Sequence, residues 1–351
     1  MKNIPLNQQI ILAIFLENNS LASSSVHEEL INRGNEVSLI TVKRELTEMK
    51  TQNLLKSSGA GRSVEYQITP FGRLISNVDA NKYCLTEPDK RFGQSNYNFD
   101  LFSSIEQDLF TDEENEQLDS FTKKYRERTK DLPPAIRKKE LERFIIELSW
   151  KSSKIEGNTY TLLDTEKLIL EGKEAPGHDK KESIMILNHK EAFNFILENI
   201  SNFKDFNRVN IEEVHKILVK DLNVNFGLRS KPVGVTGSIY QPLDNFQQIS
   251  EAVTALSESI TRVKNPYLKT LLAIIGISYI QPFEDGNKRT ARLMGNAILL
   301  AHNCAPLSYR NTDENFYREA TLVFYELNSI MPFKNIFVDQ YIFSSENYLV
   351  S

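Results

Sequence analysis

Apolar residues near the start of the chain recur at three- and four-residue intervals. Leu6, Ile10, Ile11, Ile14 and Phe15 therefore share one face of a helix. A second helix fits 23–32, opened by serines able to cap it. A third fits 38–51, with Ile40, Val42, Leu46 and Met49 turned inward. Leu54, Leu55 and Lys56, the turn at 57–61, and 63–69 with alternating Val64, Tyr66 and Ile68 predict strand, glycine turn, strand. Residues 76–110 are polar with weak periodicity and read as a connection. From about Glu113 the pattern is helical, broken at Pro133 and Pro134. Helices fit 135–153, 165–171, 181–199, 210–220, 245–262, 266–280, 288–303, 312–327 and 333–350. Only 230–242, rich in Val, Gly, Thr and Tyr, interrupts them and predicts a short β-hairpin. The chain thus reads as mainly α: a small α+β domain over 1–75, a linker over 76–110 and a nearly all-α domain over 111–351.

Three helices followed by a hairpin resemble a winged helix-turn-helix. The run SLITVKRELTEMKTQNLLKSSGAGRSVEYQIT is similar to that family along most of its length. The resemblance makes the third helix the recognition helix, offering Thr41, Lys43 and Arg44, with Arg62 on the wing within reach of a phosphate. Over 38–75 six Lys and Arg face three Glu, a local +3 in a chain whose net charge is -5. DNA is one expected partner of this face. Protein contact or homodimerisation is the other.

Composition bounds the class. With 351 residues, 40% hydrophobic and 25% charged, the chain is long enough for two or three domains at roughly 150 residues each. This excludes a disordered tail, a collagen-like fibre and a disulfide scaffold. No apolar run nears the roughly 18 residues that span a bilayer, so no membrane partner is expected. The stretch Ile10 to Leu16 is short, ends at Glu17 and reads as helix rather than signal peptide. Cys84 and Cys304 read as free thiols in a reducing, cytoplasmic setting.

The chemistry concentrates in QPFEDGNKRTAR, residues 281–292. An apolar helix stops where Pro282 cannot continue it, and a new helix begins near Asn287. The new N-terminus points backbone N–H groups outward, backed by the helix dipole, which favours an anion. Gly286 allows backbone to approach a ligand closely. Arg289 and Arg292 are three apart on one face, and the guanidinium fork suits phosphate. Asp285 is a hard oxygen ligand beside that pocket, as a phosphate-bridging Mg2+ needs. Together these predict a nucleotide and Mg2+ site.

That run also resembles the signature loop of the Fic (Fido) family, H-P-F-x-D/E-G-N-G/K-R-x-x-R, at eight of its nine specified positions. SSKIEGN, residues 152–158, is similar to the family's inhibitory-helix motif, and GLRSKPVGVTGSIYQP, residues 227–242, resembles its flap hairpin. The likeness covers roughly 110–340. It implies an all-α core that binds ATP and Mg2+ and transfers AMP to a Ser, Thr or Tyr hydroxyl of a protein target. By the resemblance, Asp285 holds the metal. Gly286, Asn287 and Lys288 line the anion hole, and Arg289 and Arg292 grip the phosphates. Gly237, Ser238, Ile239, Tyr240 and Pro242 belong to a flap that aligns a target segment by backbone pairing. Ser152, Glu156 and Gly157 form the inhibitory motif, on a helix near 145–158, with Glu156 pairing Arg292. Phe283 is expected in the core.

One departure matters. The family's catalytic histidine falls at Gln281. An amide has no titratable proton near neutral pH, so it can orient a group but cannot take a proton from it. Of the other candidates, His215 reads as a packed structural residue in an amphipathic helix. Nucleotide binding is therefore expected to survive better than transfer. The runner-up reading is a nucleotide-sensing transcriptional regulator.

Overall fold

The computed structural model describes residues 4–105 and 108–350; the side chain of Arg62 also lies outside the described residues. The chain forms two compact units. One comprises Met1–Leu109, Val235–Gln241 and Arg318–Lys334; the other comprises Phe110–Gly234, Pro242–Tyr317 and Asn335–Ser351.

The first unit opens with α1 (Leu6–Glu17), β1 (Leu21–Ala22), α2 (Ser23–Asn32) and α3 (Leu39–Thr51), followed by β2 (Leu55–Ser58) and β3 (Glu65–Ile68). The strands order as β1-β3-β2, all antiparallel, with Leu21 opposite Tyr66 and Leu55 opposite Ile68. Ser38 starts α3 by accepting the Thr41 amide at 3.2 Å. Ile11, Ile14, Phe15, Val42, Leu46 and Met49 are buried, as the periodicity predicts, but Ile10 is half-buried and Leu6, the first residue of α1, is 75% exposed, since no preceding turn covers it. Ile40, also expected inside, is 81% exposed, because the position two residues before Val42 falls on the opposite side of a helix. A short helix, α4 (Pro70–Leu74), closes the first 75 residues, and the expected linker carries another, α5 (Ala80–Cys84).

The second unit begins with α6 (Asp112–Thr129), α7 (Pro134–Ile155), α8 (Leu162–Glu171), α9 (Lys180–Glu198) and α10 (Arg208–Leu218). It continues through α11 (Phe246–Arg262), α12 (Pro266–Ile280) and α13 (Asn287–Ala301). Helices α14 (Glu314–Leu327) and α15 (Met331–Asn347) complete the chain. Thr111 opens α6 and Thr161 opens α8, each with a reciprocal capping box. Every residue of α12 from Leu271 to Ile280 is buried, so this helix is apolar all round and forms the centre of the unit.

The mainly helical class holds. The hairpin expected at 230–242 does not: that segment forms no ladder and runs as irregular chain with a turn, the Ser238 amide meeting the Val235 carbonyl at 3.3 Å. Pro232 and Pro242 lack an N–H donor, and Gly237 at φ 76° turns the chain out of the extended conformation. The described strands lie in the N-terminal sheet instead.

Candidate active site

The turn between α12 and α13 is fastened from several sides. Gln281 caps α12 in the left-handed conformation, φ 51° and ψ 57°. A side chain with a Cβ adopts this backbone at a cost of roughly 1–2 kcal/mol unless its surroundings hold it there. They do. Its Nε2 donates to the Ser278 carbonyl at 2.6 Å, and its Oε1 accepts from Asn287 Nδ2 at 3.0 Å. Its carbonyl accepts from Arg229 Nε at 2.7 Å. Asn287 also takes the Phe283 amide on Oδ1 and gives Nδ2 to the Phe283 carbonyl, both at 2.9 Å. The Asn287 side chain is thus spent on the loop, which leaves its backbone amide as its anion-facing group.

Phe283 is fully buried, as expected, and stacks on His215 with centroids 3.7 Å apart. His215 Nε2 donates to the Asp285 carbonyl at 3.0 Å, and burial lowers its pKa to about 4. A neutral imidazole, already committed to the loop, supports the structural reading of His215.

Gly286 caps α13 at φ 79°, a left-handed position. The helical ladder starts with the Thr290 amide on the Gly286 carbonyl, so the Asn287, Lys288 and Arg289 amides precede it. A Cβ at 286 would sit 3.4 Å from Val219 and 3.7 Å from Arg289 Nη2. These groups open on a cavity of about 170 Å3 lined by Gln281, Asp285, Lys288, Arg289 and Glu156. Arg289 is 2% exposed, and its Nη2 donates to Asp285 Oδ2 at 3.1 Å. Its Nη1 is buried without a hydrogen-bond partner. A guanidinium N–H in that condition is costly, and an anion in the cavity would relieve it. The donor set therefore fits a phosphate. For a metal, Asp285 offers one carboxylate, 62% exposed; among the described residues no group of three His, Cys, Asp or Glu could hold an ion. A divalent ion here would need phosphate oxygens to complete its shell.

Arg292, one turn further along α13, is fully buried and fully engaged. It donates from Nε to Ser152 Oγ at 2.9 Å, from Nη2 to the Ser152 carbonyl at 2.7 Å and from Nη1 to Glu156 Oε1 at 2.9 Å. Ser152 lies in the last turn of α7, and Glu156 is its C-cap residue; Gly157 at φ 96° ends the segment. Lys288 Nζ stands 3.9 Å from Glu156 Oε2. Burial pushes the Glu156 carboxyl up, but Arg292 and Lys288 outweigh it and hold it below its ordinary value. The structure thus brings together Gln281, Asp285, Gly286, Asn287, Lys288, Arg289, Arg292, Ser152, Glu156 and Gly157.

Three supporting residues were missed in the sequence. His189 Nε2 meets Ser152 Oγ at 2.9 Å, and burial beside Arg292 holds its pKa far below the ordinary value. Tyr317 packs its ring 5.6 Å from the Arg292 guanidinium carbon. Arg229, 2% exposed, gives its remaining donors to the Lys231 and Leu243 carbonyls. A lone Arg or His carries no periodic signal, so spacing alone could not find them.

In the first unit, Gly237 is exposed, Ser238 and Ile239 are half-buried, and Tyr240 is buried with its ring 5.5 Å from Tyr325. Pro242, in the second unit, is buried. Lys43 and Arg44 are exposed on α3 and Thr41 is half-buried; Arg44 stands 3.8 Å from Glu45. Arg62, the fourth residue expected on a DNA face, has its side chain outside the described residues. Cys84 and Cys304 are free, and among the described residues no helix is long and apolar enough to cross a membrane.

Residues 205–299, which include the turn and most of α13, match the model of the Fic/DOC family. The chain is 29% identical over 176 residues to "Protein adenylyltransferase Fic" of Nematostella vectensis, covering 48% of this chain and 41% of that protein. It is 26% identical over 213 residues to the protein of the same name in Aedes aegypti, covering 60% and 42%. The chain therefore spans about two fifths of these relatives. Among solved structures, a Fic domain containing signaling protein from Bacteroides thetaiotaomicron matches with TM-score 0.53 at 23% identity, over 66% of this chain and 94% of that one. A Fic family protein from Desulfovibrio desulfuricans matches with TM-score 0.55 at 20% identity, over 68% and 75%. At these identities the structural likeness is one of fold.

Proposed function

We propose, from the match of residues 205–299 to the Fic/DOC family, that this chain acts as a Fic family protein: it binds ATP on the 281–292 turn, is restrained by Glu156, and transfers AMP to a protein hydroxyl only slowly. The observation that carries the reading is Arg289: a buried guanidinium with one unpartnered N–H, in a side chain that lines a small polar cavity beside a helix N-terminus. The triphosphate takes that N–H together with the amides that precede the α13 ladder. Asp285 is the residue suited to hold Mg2+, which when bound would neutralise phosphate charge.

Transfer requires the acceptor oxygen to bond to the α-phosphorus while the bond to pyrophosphate breaks. The hydroxyl proton must leave at the same time. Gln281 stands where the family's base would, and its amide cannot take that proton; its Oε1 already accepts from Asn287. Pairing of Glu156 with Arg292 competes for the second guanidinium, which a γ-phosphate would otherwise engage. The relatives are protein adenylyltransferases by name, which supplies the class of reaction, and the family resemblance supplies a protein Ser, Thr or Tyr as the class of acceptor.

The test is labelled AMP incorporation by the full chain beside Gln281→His. Restoring a positioned base should raise the rate by roughly 10²–10⁴. Equal rates in the two proteins would show that Gln281 is no handicap and that the proton goes elsewhere.

A further inference from the structure

Arg292 is held mainly through Ser152. Two of its three bonds run to that residue: Nε to Ser152 Oγ at 2.9 Å and Nη2 to the Ser152 carbonyl at 2.7 Å. The third, from Nη1, reaches Glu156 Oε1 at 2.9 Å. The carbonyl is fixed by the backbone of α7. The hydroxyl proton rotates, and takes its direction from what lies beside it. What lies beside it is His189, whose Nε2 stands 2.9 Å from the same oxygen.

Helix α9 places this ring. Ile186, Ala192 and Phe193, three and four residues from His189 on the same face, are buried. Phe193 sets its ring 5.3 Å from that of Phe144 on α7, which seats α9 against the helix carrying Ser152. Next to the histidine, Asn188 Nδ2 donates to the Leu218 and Lys220 carbonyls at 3.2 and 2.6 Å. In the first turn of α9, the Glu182 carbonyl accepts Asn158 Nδ2 at 3.0 Å. His189 is itself fully buried.

The direction of the Ser152–His189 bond follows from counting protons. A guanidinium only donates, so Ser152 Oγ is an acceptor towards Arg292. The serine proton then needs an acceptor of its own. Nε2 supplies one when the imidazole is neutral and carries its proton on Nδ1. Neutral it is: burial, with the Arg292 and Arg289 charges nearby, holds its pKa far below the ordinary value. The reverse tautomer would put two donors on one oxygen and deny the serine proton the Nε2 lone pair. Nδ1 has no partner in either case, so the network favours the first arrangement. His189 thereby points the serine proton away from Arg292, and Ser152 turns its lone pairs to Nε. With Nε and Nη2 both fixed, the planar guanidinium presents Nη1 to Glu156.

We propose that His189 is a positioning residue of the Glu156 restraint: it accepts the Ser152 proton at Nε2, so that Ser152 holds Arg292 against Glu156 and away from the nucleotide. The inference deepens the reading of Glu156 as a restraint and rests on it.

Two nucleotide-free readings and one titration on the full chain test it. Nitrogen NMR of the native protein should show the His189 ring protonated on Nδ1 and bare on Nε2; a proton on Nε2 would overturn the proposal, and this reading needs no variant. His189→Met fills a similar volume and removes the acceptor, whereas His189→Gln returns an acceptor oxygen to the Nε2 side of the ring. The Arg292 Nε–H, the resonance that Arg292→Met deletes, should exchange about tenfold faster in the Met variant and within about threefold of the native rate in the Gln variant. Equal acceleration in both, or none in either, would reduce His189 to filling space and overturn the proposal. In a calorimetric titration with ATP at constant Mg2+, His189→Met should raise affinity about fivefold in the otherwise native chain and leave it unchanged beside Glu156→Gln. No gain in the native background, or the same gain with Glu156 already neutralised, would also overturn it. Failure of every chain to bind ATP would count against the nucleotide site, while the two NMR readings still decide where the Ser152 proton goes.

Discussion

Arg289 and Arg292 stand three residues apart on one helix, both buried, and meet opposite circumstances. Arg292 spends each of its nitrogens on Ser152 and Glu156. Arg289 has one partner, an exposed aspartate, and a second nitrogen with none. Their electrostatics diverge accordingly. Burial pulls the Arg289 guanidinium below its ordinary pKa, whereas for Arg292 Glu156 outweighs the same burial and holds it above. The comparison teaches how a fold keeps a binding site ready. One cation is closed by its own chain in this state; its neighbour is left under-satisfied and is the group the proposed triphosphate would take first.

Substitution should separate the two roles. Arg292→Met strands the Ser152 carbonyl and takes the close charge partner from Glu156, and should cost roughly 3–5 kcal/mol of stability, read from urea midpoints. Arg289→Met removes a group that is itself poorly paired, and should change stability by no more than about 1 kcal/mol. Similar losses in the two variants would erase the distinction.

The loop beside Arg289 carries its own pH signature. His215 falls from 6.5 to about 4 on folding, so between those values the unfolded chain binds the proton and the folded chain does not. Its contribution is fully present above pH 6.5 and fades as pH falls towards 4, by about 3 kcal/mol in all. His189 is shifted in the same direction and adds to the slope. His215→Gln, which can still donate to the Asp285 carbonyl, should flatten the dependence by that amount. An unchanged slope would mean that His215 is not buried as a neutral ring.

Much of this was legible in the sequence, for reasons that differ by region. The helices flanking the turn announce themselves by apolar periodicity and by Pro282 and Gly286, which act locally. The clamp was legible only through the resemblance, since Ser152 and Glu156 lie some 140 positions before Arg292 and no spacing rule connects them. Arg229, His189 and Tyr317 stayed hidden because burial of a polar side chain is decided by tertiary partners. The 230–242 segment misled because Val and Tyr signal a strand, whereas Pro232, Pro242 and the left-handed Gly237 keep it from forming a ladder.

A smaller effect sharpens the comparison from the other side. Glu156→Gln should release Arg292 from its ion pair and raise ATP affinity by about tenfold, near 1.4 kcal/mol, in a titration at constant Mg2+. An affinity that stays the same would mean that Glu156 does not compete with the nucleotide.

Calorimetric titration of the native chain and Arg289→Met with ATP and Mg2+ bears most directly on whether the unpartnered guanidinium marks a triphosphate site. Saturable binding to the native chain, weakened at least a hundredfold in the variant, is the predicted result. No binding by the native chain, or the same affinity in both, would contradict it.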